Sequence, residues 1–420
     1  MPYDGIVASA AVYELSGLIA GGRIDKIIQC EADEIILGCY AGRENYRLLL
    51  SANAANPRMH LTRQKKEAPL QAPPFCMVLR KYIQGGRIVS IEQSGYDRVV
   101  TFRIEHPNEM GDYCIYSLII EIMGKHSNIV LVNQSGTILD SIKHIDSSVN
   151  SFREIMPARP YIAPPPQEKC LPSDIEAVSA LFPEAVLTGS DSRRIDKYLL
   201  DHISGFSPLL CRSICESTGV NPMLKISSLS GIDIEAVREC VLIVCRDIKE
   251  HNFKPVMLMA EGSNEYLPPV PNDIHCLSVV TGELTKSYNT VNLMLDEFYS
   301  SVDYTDRLIQ KKSNVAKNIS VALDRCRRKL AEQEETMQKC ADYEDYKIKG
   351  ELLTANLYKI KPGMEAITVD NYYTDPPSQT TVALSRDILP AAQGQKYFKQ
   401  YRKAKSSYEQ AMAHSEATRT

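Results

Sequence analysis

Three stretches hold side chains whose types and spacing could do chemistry. Asp97-Arg98 follows Gly95-Tyr96 just ahead of an apolar run. At a turn, a guanidinium can fork two hydrogen bonds onto a phosphate or lie against an unpaired base, and an adjacent carboxylate can steady it or accept from a base edge. Glu121-Ile122-Met123 closes another apolar run and leads into Gly124-Lys125-His126-Ser127-Asn128. Strand alternation sets Ile122 against Glu121 and Met123, so one face there is polar and partly exposed, and Lys125 adds a donor for phosphate. Between 58 and 87, Arg58, Arg63, Lys65, Lys66, Arg80, Lys81 and Arg87 are accompanied by a single acid, Glu67, a composition suited to an RNA backbone. Each stretch has an ordinary alternative: a solvated Asp-Arg pair, a Glu121–Lys125 pair at a strand end, a solvated loop. Gly124-Lys125 is not a phosphate-binding loop, because the glycine that motif needs five residues earlier is Ile119.

Other chemistries find little support. The 12 cysteines include no CxxC; Cys211 and Cys215, like Cys240 and Cys245, have no matching His or Cys pair, so neither a metal nor a cofactor is expected. Thiols in a reducing compartment are the simpler reading. The net charge of −4 means a nucleic acid must be held by local patches and not by global attraction. The first residues lack a basic stretch followed by an apolar core, and no apolar run approaches a membrane span, so a cytoplasmic chain without a membrane partner is expected.

The elements that must position these residues read as α+β and multidomain. A helix is expected over 6–20, ended by Gly21-Gly22. A meander of strands follows at 24–29, 34–40 and 46–50, then a helix at 73–84 and strands at 88–93, 99–104, 114–123, 129–132 and 137–145. Six prolines between 157 and 172 mark a stiff extended segment. Short helices should run from 173 to about 250, interrupted at Gly205-Phe206-Ser207-Pro208 and Gly231-Ile232-Asp233, and strands at 255–260 and 274–280 should lead to a helix near Thr290. Ala316, Ile319, Leu323, Cys326, Leu330, Gln333, Met337 and Cys340 form a heptad seam, which a returning helix after Pro390 should cover beyond a β tip at 366–385. Charge on this arm is blocked: seven basic residues against one acid over 311–330, six acids against one base over 332–345. Pairing between the helices or an RNA-facing surface would each account for that. The expected domains are 1–168, 169–250, a β-rich connector at 251–289, and the arm at 290–420.

The sequence resembles the NFACT family, also called fibronectin-binding-protein-A-like. The resemblance rests on Tyr3-Asp4-Gly5, Gly95-Tyr96-Asp97-Arg98, Glu121 to Asn128, Gly205-Phe206-Ser207-Pro208-Leu209, Lys349-Gly350-Glu351-Leu352-Leu353-Thr354-Ala355-Asn356 and Gln395-Lys396-Tyr397-Phe398-Lys399-Gln400-Tyr401, in that order. It implies a formamidopyrimidine-DNA-glycosylase-like first domain, a helix–hairpin–helix domain around Ile203–Val220 and an antiparallel coiled-coil arm. It also implies a non-enzymatic ribosome quality-control factor. Such a factor binds large ribosomal subunits obstructed by peptidyl-tRNA and recruits tRNA, alanyl-tRNA in bacteria, for template-free tailing of the stalled chain. Within that reading Asp97, Arg98, Glu121, Ile122, Met123 and Lys125 contact tRNA, while Arg58, Arg63, Lys65, Lys66, Arg80 and Lys81 supply an RNA-backbone patch. The family continues past the arm, so a shortened chain is expected, and a dimer through the cut arm stays open. Two alternatives come with the resemblance. A DNA glycosylase or lyase would use Pro2 as a Schiff-base nucleophile, but position 3 is Tyr where an acid would be required. A fibronectin-binding surface adhesin would require export.

Overall fold

The computed structural model describes residues 2–148, 153–182, 192–260, 270–282 and 284–419, which fall into two units, 1–305 and 306–420. The first unit opens with α1 (Gly5–Ile19). This helix starts where it does because Asp4 Oδ1 accepts from the N–H groups of Ile6 (3.0 Å) and Val7 (2.8 Å), satisfying first-turn donors that have no partner within the helix. Four strands follow, β1 (Arg23–Glu31), β2 (Glu34–Ala41), β3 (Glu44–Ser51) and β4 (Arg58–Leu61), then α2 (Pro74–Ile83). Five more come next: β5 (Arg87–Gln93), β6 (Val99–Pro107), β7 (Tyr113–Glu121), β8 (Asn128–Val132) and β9 (Ile138–Ser141). All nine form one antiparallel sheet in the order β4-β3-β2-β1-β5-β6-β7-β8-β9.

The expected strands are present with shifted ends, and β9 is shorter than the 137–145 read from sequence. Strand β4 was not foreseen. Arg58 and His60 interrupt its apolar pattern, and they are tolerated because both are buried beside acidic groups of a distant helix. Neighbouring residues of β6 to β8 feed different cores: Val100, Leu118, Ile120, Ile129 and Leu131 face the main one, whereas Val99, Ile119, Val130 and Val132 pack with Ile138 and Ile155 on the opposite face. A sheet covered on both faces explains why these strands read as continuous apolar runs and do not alternate. The second cover is the extended segment 153–162, tied to β9 by the Ile138 N–H donating to the Arg159 carbonyl (2.8 Å) and to the preceding turn by the Tyr161 N–H donating to the Gly136 carbonyl (2.8 Å).

Helices α3 (Ile175–Ala180), α4 (Ile195–His202), α5 (Pro208–Ser217) and α6 (Gly231–Lys249) follow; residues 183–191 of the expected helical stretch lie outside the described residues. Gly231 begins α6 behind a capping box made by Ser230 and Asp233, so the interruption read there is a helix start. A three-stranded sheet, β11-β10-β12, is built from β10 (Val256–Ala260), β11 (Val270–His275) and β12 (Leu284–Ser287). The strand expected at 274–280 sits earlier in the chain: Cys276, Leu277 and Val280 are apolar because they turn into the core, not because they extend a strand.

Helix α7 (Val291–Lys339) has 49 residues. Its first turns cover the β4 edge: Asn292 Oδ1 accepts from the Leu61 N–H (2.8 Å), an Asp296 oxygen from the Arg63 N–H (3.0 Å), and Asp303 pairs with Arg58 (2.6 Å). An edge strand closed in this way is no longer a template for unwanted pairing.

In the second unit, the rest of α7 is followed by α8 (Tyr343–Ala355), a hairpin of β13 (Ala366–Asn371) and β14 (Ser378–Ala383), and α9 (Pro390–Arg419). Helix α9 runs antiparallel to α8 and the last turns of α7. Tyr397 lies by Tyr346, Tyr401 and Tyr408 by Tyr343, Ser415 by Met337, and Arg419 pairs with Glu334 at 2.8 Å. Among the described residues the seam is therefore partnered only at its far end. Ile319 and Leu323 are 62% and 48% exposed, because α9 reaches Glu334 and not the turns before it. Among the described residues no helix is long and apolar enough to cross a membrane.

Candidate nucleic-acid interface

Asp97 and Arg98 sit on the β5–β6 hairpin, where Gly95 takes φ +57° and the Asp97 N–H donates to the Ser94 carbonyl at 3.0 Å. Asp97 Oδ1 accepts from the Arg98 N–H (2.8 Å), and Gln93 Nε2 ties the Asp97 carbonyl (2.8 Å) to the Gly5 carbonyl (2.9 Å). The corner is thus fastened to the first turn of α1. A cleft of about 540 Å³ opens there, lined by Asp4 and Gly5, by Gly95 to Arg98, by Pro164, Pro166 and Lys169, and by Gly205 to Pro208. Three of the stretches that carried the resemblance meet in it.

Their convergence depends on missing side chains. A Cβ on Gly5 would lie 2.1 Å from the Tyr96 carbonyl oxygen and 2.6 Å from the Gly205 Cα, and Gly205 itself has φ +79°. Only glycine lets three backbones approach this closely. Asp4 completes the junction: beyond capping α1, its Oδ2 accepts from His275 Nε2 at 3.1 Å. The Leu277 N–H donates to His275 Nδ1 (3.2 Å), so Nε2 carries the proton that Asp4 receives. Burial alone would raise the Asp4 carboxyl, but His275, the Ser207 hydroxyl and the Val7 N–H outweigh it and hold the group below its ordinary value. Ser207 in turn caps α5 through the Leu210 N–H.

The Glu121–Met123 segment is adjacent. Val99 and Glu121 are register partners, and the Ile122 N–H donates to the Arg98 carbonyl at 2.8 Å. Its side chains, however, do not all point outward. Glu121 and Ile122 are both 0% exposed, which corrects the expectation that they are surface contacts: Ile122 belongs to the main core, and both Glu121 oxygens accept from Arg153, with Oε1 also accepting from the Tyr161 hydroxyl. Met123 is half-buried against the second core. The residues after it build a turn. Ser127 Oγ accepts from the Met123 N–H (2.8 Å), Gly124 has φ +59°, and Asn128 Oδ1 accepts from the Ile129 and Lys143 N–H groups. Lys125 is exposed on that turn but does not line the cleft.

The expected backbone patch is also revised. Arg58 is 2% exposed, paired with Glu34 and Asp303 and lying over the Tyr299 ring (4.8 Å); Lys66 pairs with Glu34. Arg80 donates twice to the Ile27 carbonyl (3.0 and 2.9 Å). Half of the charges that looked like a surface cluster, Arg58, Lys66 and Arg80, hold the fold, and Arg63, Lys65 and Lys81 are the exposed ones. A larger groove of about 890 Å³ is lined by Tyr13, Glu14, Arg47 and Arg63 among others. Two of its charged groups are engaged with backbone, Glu14 accepting from the Asn292 N–H and Arg47 donating to the carbonyls of Arg63 and Gln64, while Arg63 is exposed. We place the candidate interface at the smaller cleft, where three of the stretches that carry the resemblance meet. Sequence reading missed Lys169, Arg153, Tyr161 and His275. No local pattern marks them, since each matters through a partner tens to hundreds of residues away. Among the described residues no three His, Cys, Asp or Glu side chains are grouped as metal ligands.

A match to the family described as NFACT N-terminal and middle domains spans residues 4–420. The chain belongs to the NFACT family. It is 33% identical over 408 residues to the Rqc2 homolog RqcH of Bacillus subtilis (strain 168), covering 97% of this chain and 68% of that protein. It is also 29% identical over 362 residues to the archaeal Rqc2 homolog aRqcH of Methanocaldococcus jannaschii, covering 85% of this chain and 50% of that one. Among solved structures, the N-terminal part of the fibronectin/fibrinogen-binding protein from Streptococcus suis superposes with a TM-score of 0.57 at 28% identity, over 71% of this chain and 99% of that chain. The fibrinogen binding protein from Staphylococcus aureus gives 0.56 at 30% over the same share of this chain. NFACT membership makes the cleft, where family-like stretches from three distant parts of the chain meet, the first place to look for a shared ligand.

Proposed function

We propose that this NFACT chain is a non-enzymatic ribosome quality-control factor that engages obstructed large ribosomal subunits and recruits tRNA, alanyl-tRNA in the bacterial setting, for template-free tailing of the stalled chain. Its relatives are named as Rqc2 homologues, and a more distant mouse protein, 22% identical over 379 residues, is named ribosome quality control complex subunit NEMF. The observation that carries the tRNA reading is the meeting of Asp97-Arg98 with Asp4-Gly5 and Gly205–Pro208 in one open cleft. In this reading Arg98 and Lys169 face the sugar–phosphate backbone, Asp97 sets the corner that aims Arg98, and Lys125, Arg63 and Lys65 supply outlying charge. Ile122 and Met123 pack into the two cores behind the corner and do not touch the ligand. A glycosylase-like origin of the first domain and a helix–hairpin–helix reading of α4 and α5 belong to the same proposal.

The test is tRNA binding at several salt concentrations. Arg98→Ala should weaken binding about tenfold and flatten the dependence of log K on log salt by about one contact. Unchanged affinity and slope would remove the site assignment. A lyase reading makes the opposite demand, borohydride trapping of Pro2 on an abasic duplex, and Tyr3 beside it is sealed in the core with its hydroxyl donating to the Met59 carbonyl (2.8 Å).

A further inference from the structure

Glu121 has no access to a ligand, yet it lies one register position from the Arg98 corner. Its two oxygens gather both ends of a ten-residue strap. Arg153 Nη1 donates to Oε2 at 3.0 Å while Nη2 donates to Oε1, and the Tyr161 hydroxyl donates to Oε1 at 2.8 Å. The Arg153 guanidinium stands over the Tyr161 ring (5.4 Å), and its Nε donates to the Ile162 carbonyl. Burial, then the Glu121 charge, pushes the Tyr161 hydroxyl far above its ordinary pKa, so it stays a donor. Beyond Ile162 the chain enters Pro164-Pro165-Pro166, where fixed φ angles transmit direction over several residues. Pro164 and Pro166 are wall residues of the cleft. At the far end Lys169 Nζ donates to the Leu200 carbonyl, and the Cys170 N–H to the His202 carbonyl (2.8 Å), next to the Gly205 hairpin.

We infer that Glu121 serves the cleft as a positioning residue: through Arg153 and Tyr161 it fixes the strap 153–162, and the proline run leaving that strap lines the cleft together with Asp97 and Arg98. This rests on reading the cleft as the tRNA site. A buried ion pair adds little net stability over apolar packing but does specify one arrangement, which is what a wall that must face a shaped RNA needs.

The experiment is a double-mutant cycle on the full chain, read by the affinity for a labelled tRNA transcript and by hydrogen exchange of residues 155–169. Glu121→Gln and Arg153→Met should each weaken binding about tenfold, and the double variant should bind no worse than the poorer single, because both remove one device. Exchange over 155–169 should quicken in all three and stay as in the parent in Arg98→Ala. Tyr161→Phe, which keeps the ring, loses one hydrogen bond and spares the ion pair, should give a smaller change of the same kind, about threefold; it carries the test should the ion-pair variants not fold. The inference is overturned if Glu121→Gln binds as the parent does while Arg98→Ala does not. It is equally overturned if the Glu121 and Arg153 losses multiply, or if binding falls with exchange unchanged. If Arg98→Ala binds normally, the site reading fails by itself, and the Glu121–Arg153 cycle still reports whether the strap governs binding.

Discussion

His60 and Asp4 are both buried, and their surroundings push them in the same direction, so acid should weaken the fold in two stages. Burial and the Arg58 charge lower His60 from its ordinary 6.5 to about 4; its Nδ1 faces the Leu61 carbonyl at 2.9 Å, and its Nε2 has no hydrogen-bond partner. The unfolded chain therefore takes up this proton before the folded one does, and stability is lost as pH falls from 6.5 towards about 4, on the order of 3 kcal/mol in total. Asp4 has a folded pKa below its ordinary 3.8, so its contribution is complete above that value and is lost only at more acid pH. Urea denaturation at pH 7 and pH 4.5 should show the first loss in the parent and a smaller one in His60→Gln; equal losses would mean that His60 is not the group responsible.

Helix α1 contains a matched pair of glycines that separates packing from propensity. Gly5 faces the Tyr96 carbonyl and Gly205, whereas Gly17 is helical with nothing within 4 Å of an added Cβ. Gly17→Ala should stabilise by about 0.5–1 kcal/mol, the usual gain of alanine over glycine within a helix. Gly5→Ala should destabilise by about 2–3 kcal/mol or more, since backbone and not a flexible side chain occupies the space, and it should weaken tRNA binding along with the cleft. Thermal melts of the two variants check the sign, and opposite signs are the expected result. The same contrast holds among the strands: β6 to β8 declare themselves by apolar runs, while β4 does not, because its Arg58 and His60 are compatible with burial only once α7 brings Asp303 and Asp296 alongside.

At the scale of the whole chain, α7 begins inside the first unit and ends in the second, and its two parts should respond differently to the loss of an acid. Asp303 pairs with buried Arg58 at 2.6 Å, and Asp303→Ala leaves that guanidinium with Glu34 at 3.5 Å, a cost of about 2 kcal/mol. Asp324 meets Arg327 at 3.9 Å on an exposed face, and Asp324→Ala should change stability by no more than about 0.5 kcal/mol. Urea titrations of the two variants provide the comparison. Equal effects would show that the polar root of α7 is not what closes the β4 edge.

The sequence by itself determined most of the elements, though not β4 or β12, together with the mixed helix-and-sheet class and the family, because apolar period, glycine punctuation and short motifs are local and survive without knowledge of the fold. It also placed Asp97-Arg98 on a hairpin and marked Gly205–Pro208 as a break between helices. Only the tertiary structure decided which of the charged residues face solvent. Arg58, Lys66, Arg80 and Glu121 look no different in the chain from Arg63, Lys65 and Lys125. The first four are held by Asp303, Glu34, the Ile27 carbonyl and Arg153, partners supplied by long-range packing. Burial is a property of what lies opposite a side chain, and that is settled only when distant segments close over it.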